Sequence, residues 1–78
     1  AVRVAPEAGR LILHGGDVAA GMVVQFPPNL SRGTLVRVLG YRKQLLSLAE
    51  TLVGSLDFPA CEPMCVVLHS VRVFSGAA

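Results

Sequence analysis

The stretch Arg10–Arg42, RLILHGGDVAAGMVVQFPPNLSRGTLVRVLGYR, governs how the rest of the chain is read. It holds three apolar runs, Leu11–Leu13, Val18–Phe26 and Leu35–Leu39, broken by Gly15–Asp17 and Pro27–Gly33. Short β-branched runs bounded by Gly, Pro, Asn and Asp predict strands of one antiparallel meander. In the last run, twofold alternation places Val36, Val38 and Gly40 on one face. Leu35, Arg37, Leu39 and Tyr41 fall on the other. A Gly ending such a strand suits a sharp bend at the corner of a small barrel.

Working outward, Val2–Val4 predicts a first strand, short or cut, which Pro6 stops. Gly9–His14 predicts a second, with Leu11 and Leu13 inward and Arg10, Ile12 and His14 outward. Gly15-Gly16-Asp17 reads as a hairpin turn, because the two glycines lack the Lys and Ser/Thr of a phosphate loop. Val18–Phe26 reads as one strand with a bulge at Ala19-Ala20-Gly21. After Tyr41 the period changes. Leu45, Leu48, Ala49, Leu52, Val53 and Leu56 recur at three-to-four spacing and predict a helix over Gln44–Val53, which Gly54 ends; the competing reading starts it at Thr34, since Leu35, Val38 and Leu39 also fit the stripe. Asp57–Pro63 is a loop, Met64–Phe74 a long closing strand apolar on both faces, and Ser75–Ala78 a tail.

Composition sets the limits. The 78 residues make one small domain, near the size where a single core only just suffices. The chain is 53% apolar and 15% charged, against about 25% charged in a typical soluble chain. So small an interior cannot hide that much apolar surface, and part of it is expected to face a larger protein partner. The net charge of +2 is mildly basic, and only Arg42-Lys43 forms a cationic pair. No run reaches the roughly 20 apolar residues of a membrane span. Two cysteines make no disulfide framework and suggest a reducing, intracellular compartment.

Little of the chain suggests catalysis. Cys61, Cys65 and His69 recur every four residues, with His14 as the remaining candidate ligand. On a strand, however, Cys65 and His69 lie about 13 Å apart at roughly 3.3 Å per residue, too far for one ion. The reading is therefore buried free thiols and no metal. Five scattered carboxylates and no elbow motif predict neither an enzyme nor a cofactor or small-molecule substrate. Two constellations remain. Tyr41, flanked by Arg37, Arg42 and Lys43, has the chemistry to stack a base and meet phosphates. Leu45, Leu46, Leu52 and Leu56, on the expected helix, would plug the barrel and leave Leu46 or Leu56 for a partner. On that reading, Leu46→Asp breaks assembly and spares the monomer.

GRLILHGGD, MVVQFPP, SRGTLVRVLGYRK and CVVLHSVRVF, taken in order, resemble an OB-fold. The likeness is to the small accessory subunits of single-strand-binding assemblies, of replication, telomere-capping and dissolvasome type. It implies a mostly β fold, a small five-stranded OB-like barrel with one short helix, with a small α+β fold as the alternative. It also implies a nuclear, non-catalytic subunit that assembles with larger proteins handling single-stranded nucleic acid and touches that nucleic acid weakly itself. The alternative function is a purely structural subunit buried in a large assembly, with no nucleic acid. Many OB-folds place their helix between the third and fourth strands, unlike the order read here, and only Tyr41 offers a stacking platform in this stretch.

Overall fold

The structure is a computed structural model, described for residues 1–14 and 16–74. Its elements are β1 (Val2–Val4), α1 (Pro6–Leu13), β2 (Val18–Ala19), a 3₁₀ turn (Ala20–Met22), β3 (Val23–Gln25), β4 (Leu35–Leu39), β5 (Leu45–Thr51), a second 3₁₀ turn (Phe58–Ala60) and β6 (Val66–Val73). The fold is mostly β with one helix, as expected. The six strands run in the order β2-β6-β5-β4-β1-β3 and curl into a small, nearly closed barrel. The two edge strands, β2 and β3, are consecutive in the chain, so the 3₁₀ turn between them carries the chain across the seam.

Four expectations are corrected. The first strand leads not into another strand but into α1. Pro6 starts that helix, where its missing N–H costs nothing, and Glu7 complements the positive helix end. Ala8 and Ile12, four apart, are fully buried, whereas Leu11 and Leu13, expected inside, are exposed. Val18–Phe26 is not one strand, because the chain turns through Ala20–Met22 where only a bulge was expected. The ladder is not a pure antiparallel meander either, since β1 pairs parallel to β4 and antiparallel to β3.

The fourth correction is the largest. Gln44–Val53 is not a helix, and Leu45–Thr51 forms β5, a central strand between β4 and β6. Its pattern misleads because two hydroxyl side chains point in while Leu45 and Leu48 point out. Ser47, Ala49 and Thr51 are buried, while Leu45 and Glu50 are exposed and Leu48 is half-buried. A bulge opposite Val38 and Leu39 adds Leu46 to the buried side, 3% exposed. Two interior leucine-sized steps out of phase therefore imitate a helical period.

The inverted strand works because its inward hydroxyls are bonded. Thr51 Oγ1 accepts the Thr34 N–H at 2.9 Å and donates to the Ser31 carbonyl at 2.8 Å. Ser47 Oγ lies 3.4 Å from Ser70 Oγ. Nearby, Ser55 Oγ accepts the Leu30 N–H at 2.7 Å and donates to the Pro27 carbonyl at 2.8 Å. Together these bonds pin the 27–34 loop to the barrel. The apolar core is Val2, Val4, Ala8, Ile12, Val18, Val36, Val38, Leu46, Ala49, Val67 and Leu68, with stacked Phe26 and Phe58 rings (centroids 4.3 Å apart) at its edge. Among the described residues no helix is long and apolar enough to cross a membrane.

Candidate nucleic-acid interface

Alternation in β4 places Val36 and Val38 in the core and turns Leu35 and Arg37 to solvent, the two faces read from the sequence. Register then extends that outer face across the sheet. Arg37 pairs with Leu48, and Leu48 with Arg72. Opposite residues of neighbouring strands share a face, so two exposed arginines flank Leu48 with backbones roughly 10 Å apart, two strand spacings. Arg72 reaches this face through a bulge in β6 that leaves Val71 and Arg72 both exposed. Its guanidinium carbon lies 5.4 Å from the Phe74 ring centroid, a cation–π contact that steadies a planar cation at the surface. Phe74 is itself anchored, donating its N–H to the Leu46 carbonyl at 3.0 Å.

Two residues further along β4, towards its hairpin end, Arg3 of β1 pairs with Leu39 on one side and Gln25 on the other. It is half-buried, and among the described residues its Nε has no hydrogen-bond partner. The β4–β5 hairpin then carries Tyr41, Arg42 and Lys43 out at the same end, all exposed. The hairpin is held by Gly40 N–H to Gln44 O (2.8 Å) and Lys43 N–H to Gly40 O (2.9 Å). The Gln44 amide occupies the space that a Cβ on Gly40 would fill, as close as 2.5 Å, and accepts the Arg42 N–H at 3.0 Å. Lys43 has φ 66°, a left-handed conformation that favours glycine.

The adjoining row of the same face carries one carboxylate, Glu50. Leu35, Glu50 and His69 form the next cross-strand row. His69 Nδ1 lies 2.8 Å from Asp17 Oδ1, tying β6 to the segment before β2. Of the seven cations, Arg3, Arg37, Arg42, Lys43 and Arg72 are thus gathered at one end of one face. Arg10 lies on α1 and Arg32 in the 27–34 loop.

The structure therefore gathers Arg37 with the hairpin residues Tyr41, Arg42 and Lys43 at one end of the sheet. It adds Arg3, Arg72 and Phe74, which the sequence reading missed. Arg3 was legible, because burial of Val2 and Val4 on alternate positions turns it outward. Arg72 was not, because its direction depends on the β6 bulge. The four leucines expected to meet a partner do not form a stripe. Leu46 is in the core, Leu52 is half-buried, Leu45 lies at the start of β5 and Leu56, 96% exposed, in the following loop. Among the described residues no group of three His, Cys, Asp or Glu side chains is placed to hold a metal ion.

No family model and no curated protein matches the chain. Solved structures do. A chain in the structure of an H/ACA RNP bound to a substrate RNA containing 2'-deoxyuridine is similar at TM-score 0.88 and 20% identity, over 97% of this chain and 24% of that one. A conserved PUA domain protein from Thermoplasma acidophilum is similar at TM-score 0.85 and 16% identity, over 96% of this chain and 49% of that one. A chain of the archaeal box H/ACA sRNP Nop10-Cbf5 complex is similar at TM-score 0.87 and 14% identity, again over 97% of this chain and 24% of that one. The chain thus spans from a quarter to a half of the length of these proteins. At these identities the likeness establishes the fold. A small OB-like barrel is compatible with it, but the replication and telomere-capping subunits suggested by the sequence give way to PUA-type and H/ACA RNP structures as the relevant neighbours.

Proposed function

We propose that this chain is a non-catalytic RNA-binding module of a larger protein assembly, and that it binds through the basic end of its outer sheet face. The observation that carries the reading is the Arg37–Leu48–Arg72 row, with Arg3 beside it and the Tyr41–Lys43 hairpin above. Arginines separated by apolar side chains suit a nucleic-acid backbone, whose phosphates meet the cations while sugars and bases cover the leucines. The exposed Tyr41 and the Arg72 guanidinium, steadied over Phe74, offer planar groups on which unpaired bases stack, which favours single strands over duplex. The similarity to a chain from an RNP bound to a substrate RNA supports RNA as the nucleic acid. The similarity to chains from an H/ACA RNP and from a Nop10-Cbf5 complex supports assembly with larger protein partners.

The test is fluorescence anisotropy of a labelled single-stranded RNA oligonucleotide, titrated with the chain at two salt concentrations. Binding is expected to be weak. With three to five phosphate contacts and a slope of about 0.7 per contact on single strands, it should fall roughly twenty- to hundredfold for a fourfold rise in salt. Absence of binding at low salt would refute the RNA reading and leave a purely structural subunit.

A further inference from the structure

The row beside the arginines is built differently from the rest of the face. Leu35, Glu50 and His69 stand opposite one another on β4, β5 and β6, and all three are exposed. Glu50 lies two residues along β5 from Leu48, roughly 7 Å at about 3.3 Å per residue. It belongs to a central strand, so ladders on both sides fix its backbone. Among the described residues its carboxylate has no hydrogen-bond or ion-pair partner, and neither Arg37 nor Arg72 pairs with it.

The third member of the row is held in place. His69 Nδ1 lies 2.8 Å from Asp17 Oδ1. A carboxylate only accepts, so Nδ1 is the donor and the bond fixes the ring against the segment before β2. The imidazole, 55% exposed, is thus a steadied planar group beside Glu50. Directly opposite residues have Cβ atoms about 5 Å apart, so a base lying against the ring brings its edge to the carboxylate. Leu35, 60% exposed, borders Glu50 on the other side with apolar surface.

We propose that this row is a base-reading position, selective for guanine, within the single-stranded RNA site of the outer face. The inference rests on the RNA reading and names what that site selects. Glu50 offers two acceptor oxygens and no donor. Guanine presents two adjacent donors on its Watson–Crick edge, N1–H and the N2 amino group, and can engage both oxygens at once. Uracil flanks its single N–H with two carbonyls, and adenine and cytosine each set an acceptor ring nitrogen beside the amino group. Those acceptors face the carboxylate and are repelled. In a duplex the same edge is already paired, so the position reads only unpaired bases. A carboxylate on a phosphate-binding face weakens general attraction, and selectivity is what it supplies in exchange.

The experiment compares four short single-stranded RNAs by fluorescence anisotropy at low salt, each all uridine except for a central G, A, C or U. The guanine strand is expected to bind about ten- to hundredfold more tightly than the all-uridine strand, with A and C close to U. Glu50→Gln should move the two in opposite directions. Guanine binding loosens because the amide loses an acceptor, and uridine binding tightens because the negative charge is gone. Equal affinity for the guanine and uridine strands, on a chain that binds both, would overturn the base reading and leave the RNA face standing. So would a Glu50→Gln variant that shifts both strands the same way, which is the sign of a purely electrostatic or structural role. Binding to none of the four would refute the RNA face itself and the base reading with it.

Discussion

Leu46→Asp is expected to leave the chain unfolded, while Leu45→Asp next to it leaves the fold intact. The two leucines are neighbours in sequence and opposites in space. Leu46 is 3% exposed and Leu45 40% exposed, because the β5 bulge turns Leu46 into the barrel against α1. Removing a buried leucine side chain costs about 2–5 kcal/mol, and placing an unpaired carboxylate there costs several more. A domain of 78 residues holds roughly 4–12 kcal/mol in total, at about 0.05–0.15 kcal/mol per residue, so the variant has no stable native state. At Leu45 the change should stay within about 1 kcal/mol. Thermal melts followed by circular dichroism decide it, and a cooperative melt for Leu46→Asp would contradict the register of β5. This reverses the sequence-based expectation that Leu46→Asp spares the monomer and disrupts only a partner contact.

The double variant Arg37→Glu/Arg72→Glu is expected to lose RNA binding by at least about tenfold at low salt, with a salt slope shallower by about 1.4 for the two contacts removed. Both side chains are exposed and flank Leu48, so the substitutions replace two cations by two anions in the middle of the basic end and leave the core untouched. Stability should change by no more than about 1–2 kcal/mol, most of it from losing the Arg72–Phe74 contact. Arg10→Glu/Arg32→Glu makes the same change in net charge on α1 and the 27–34 loop. If that control weakens binding equally, attraction is general and the face is not the site.

What the sequence made legible follows from where local pattern and burial agree. β4 was read correctly to the face, because Val36 and Val38 alternate with polar or exposed neighbours and Gly40 marks the turn. The closing strand β6 was legible from its valines, and Val2–Val4 from strict alternation. β5 was not legible, since its buried positions are Ser47 and Thr51 and its leucines lie partly outside. Only the hydrogen bonds from Thr51 and Ser47, made across 17 to 23 residues, explain that inversion, and no local window contains them. α1 was misread for a different reason, because Pro6 was taken as a strand stop when it is the first residue of a helix. The proposed site was half legible. Arg37 and the Tyr41–Lys43 hairpin stood out as a sequence cluster, but Arg72 and Phe74 join them only through the β5–β6 register.

The most direct test of the central claim is a ¹⁵N–¹H chemical-shift map of the labelled chain titrated with a single-stranded RNA oligonucleotide. The shifts should concentrate on Arg3, on Arg37–Gln44 and on Val71–Phe74, with α1 and the 27–34 loop unmoved. Shifts confined to α1, Gly16 and Asp17, with β4 and the hairpin silent, would contradict the assignment of the outer sheet face and move the interface to the opposite side of the barrel.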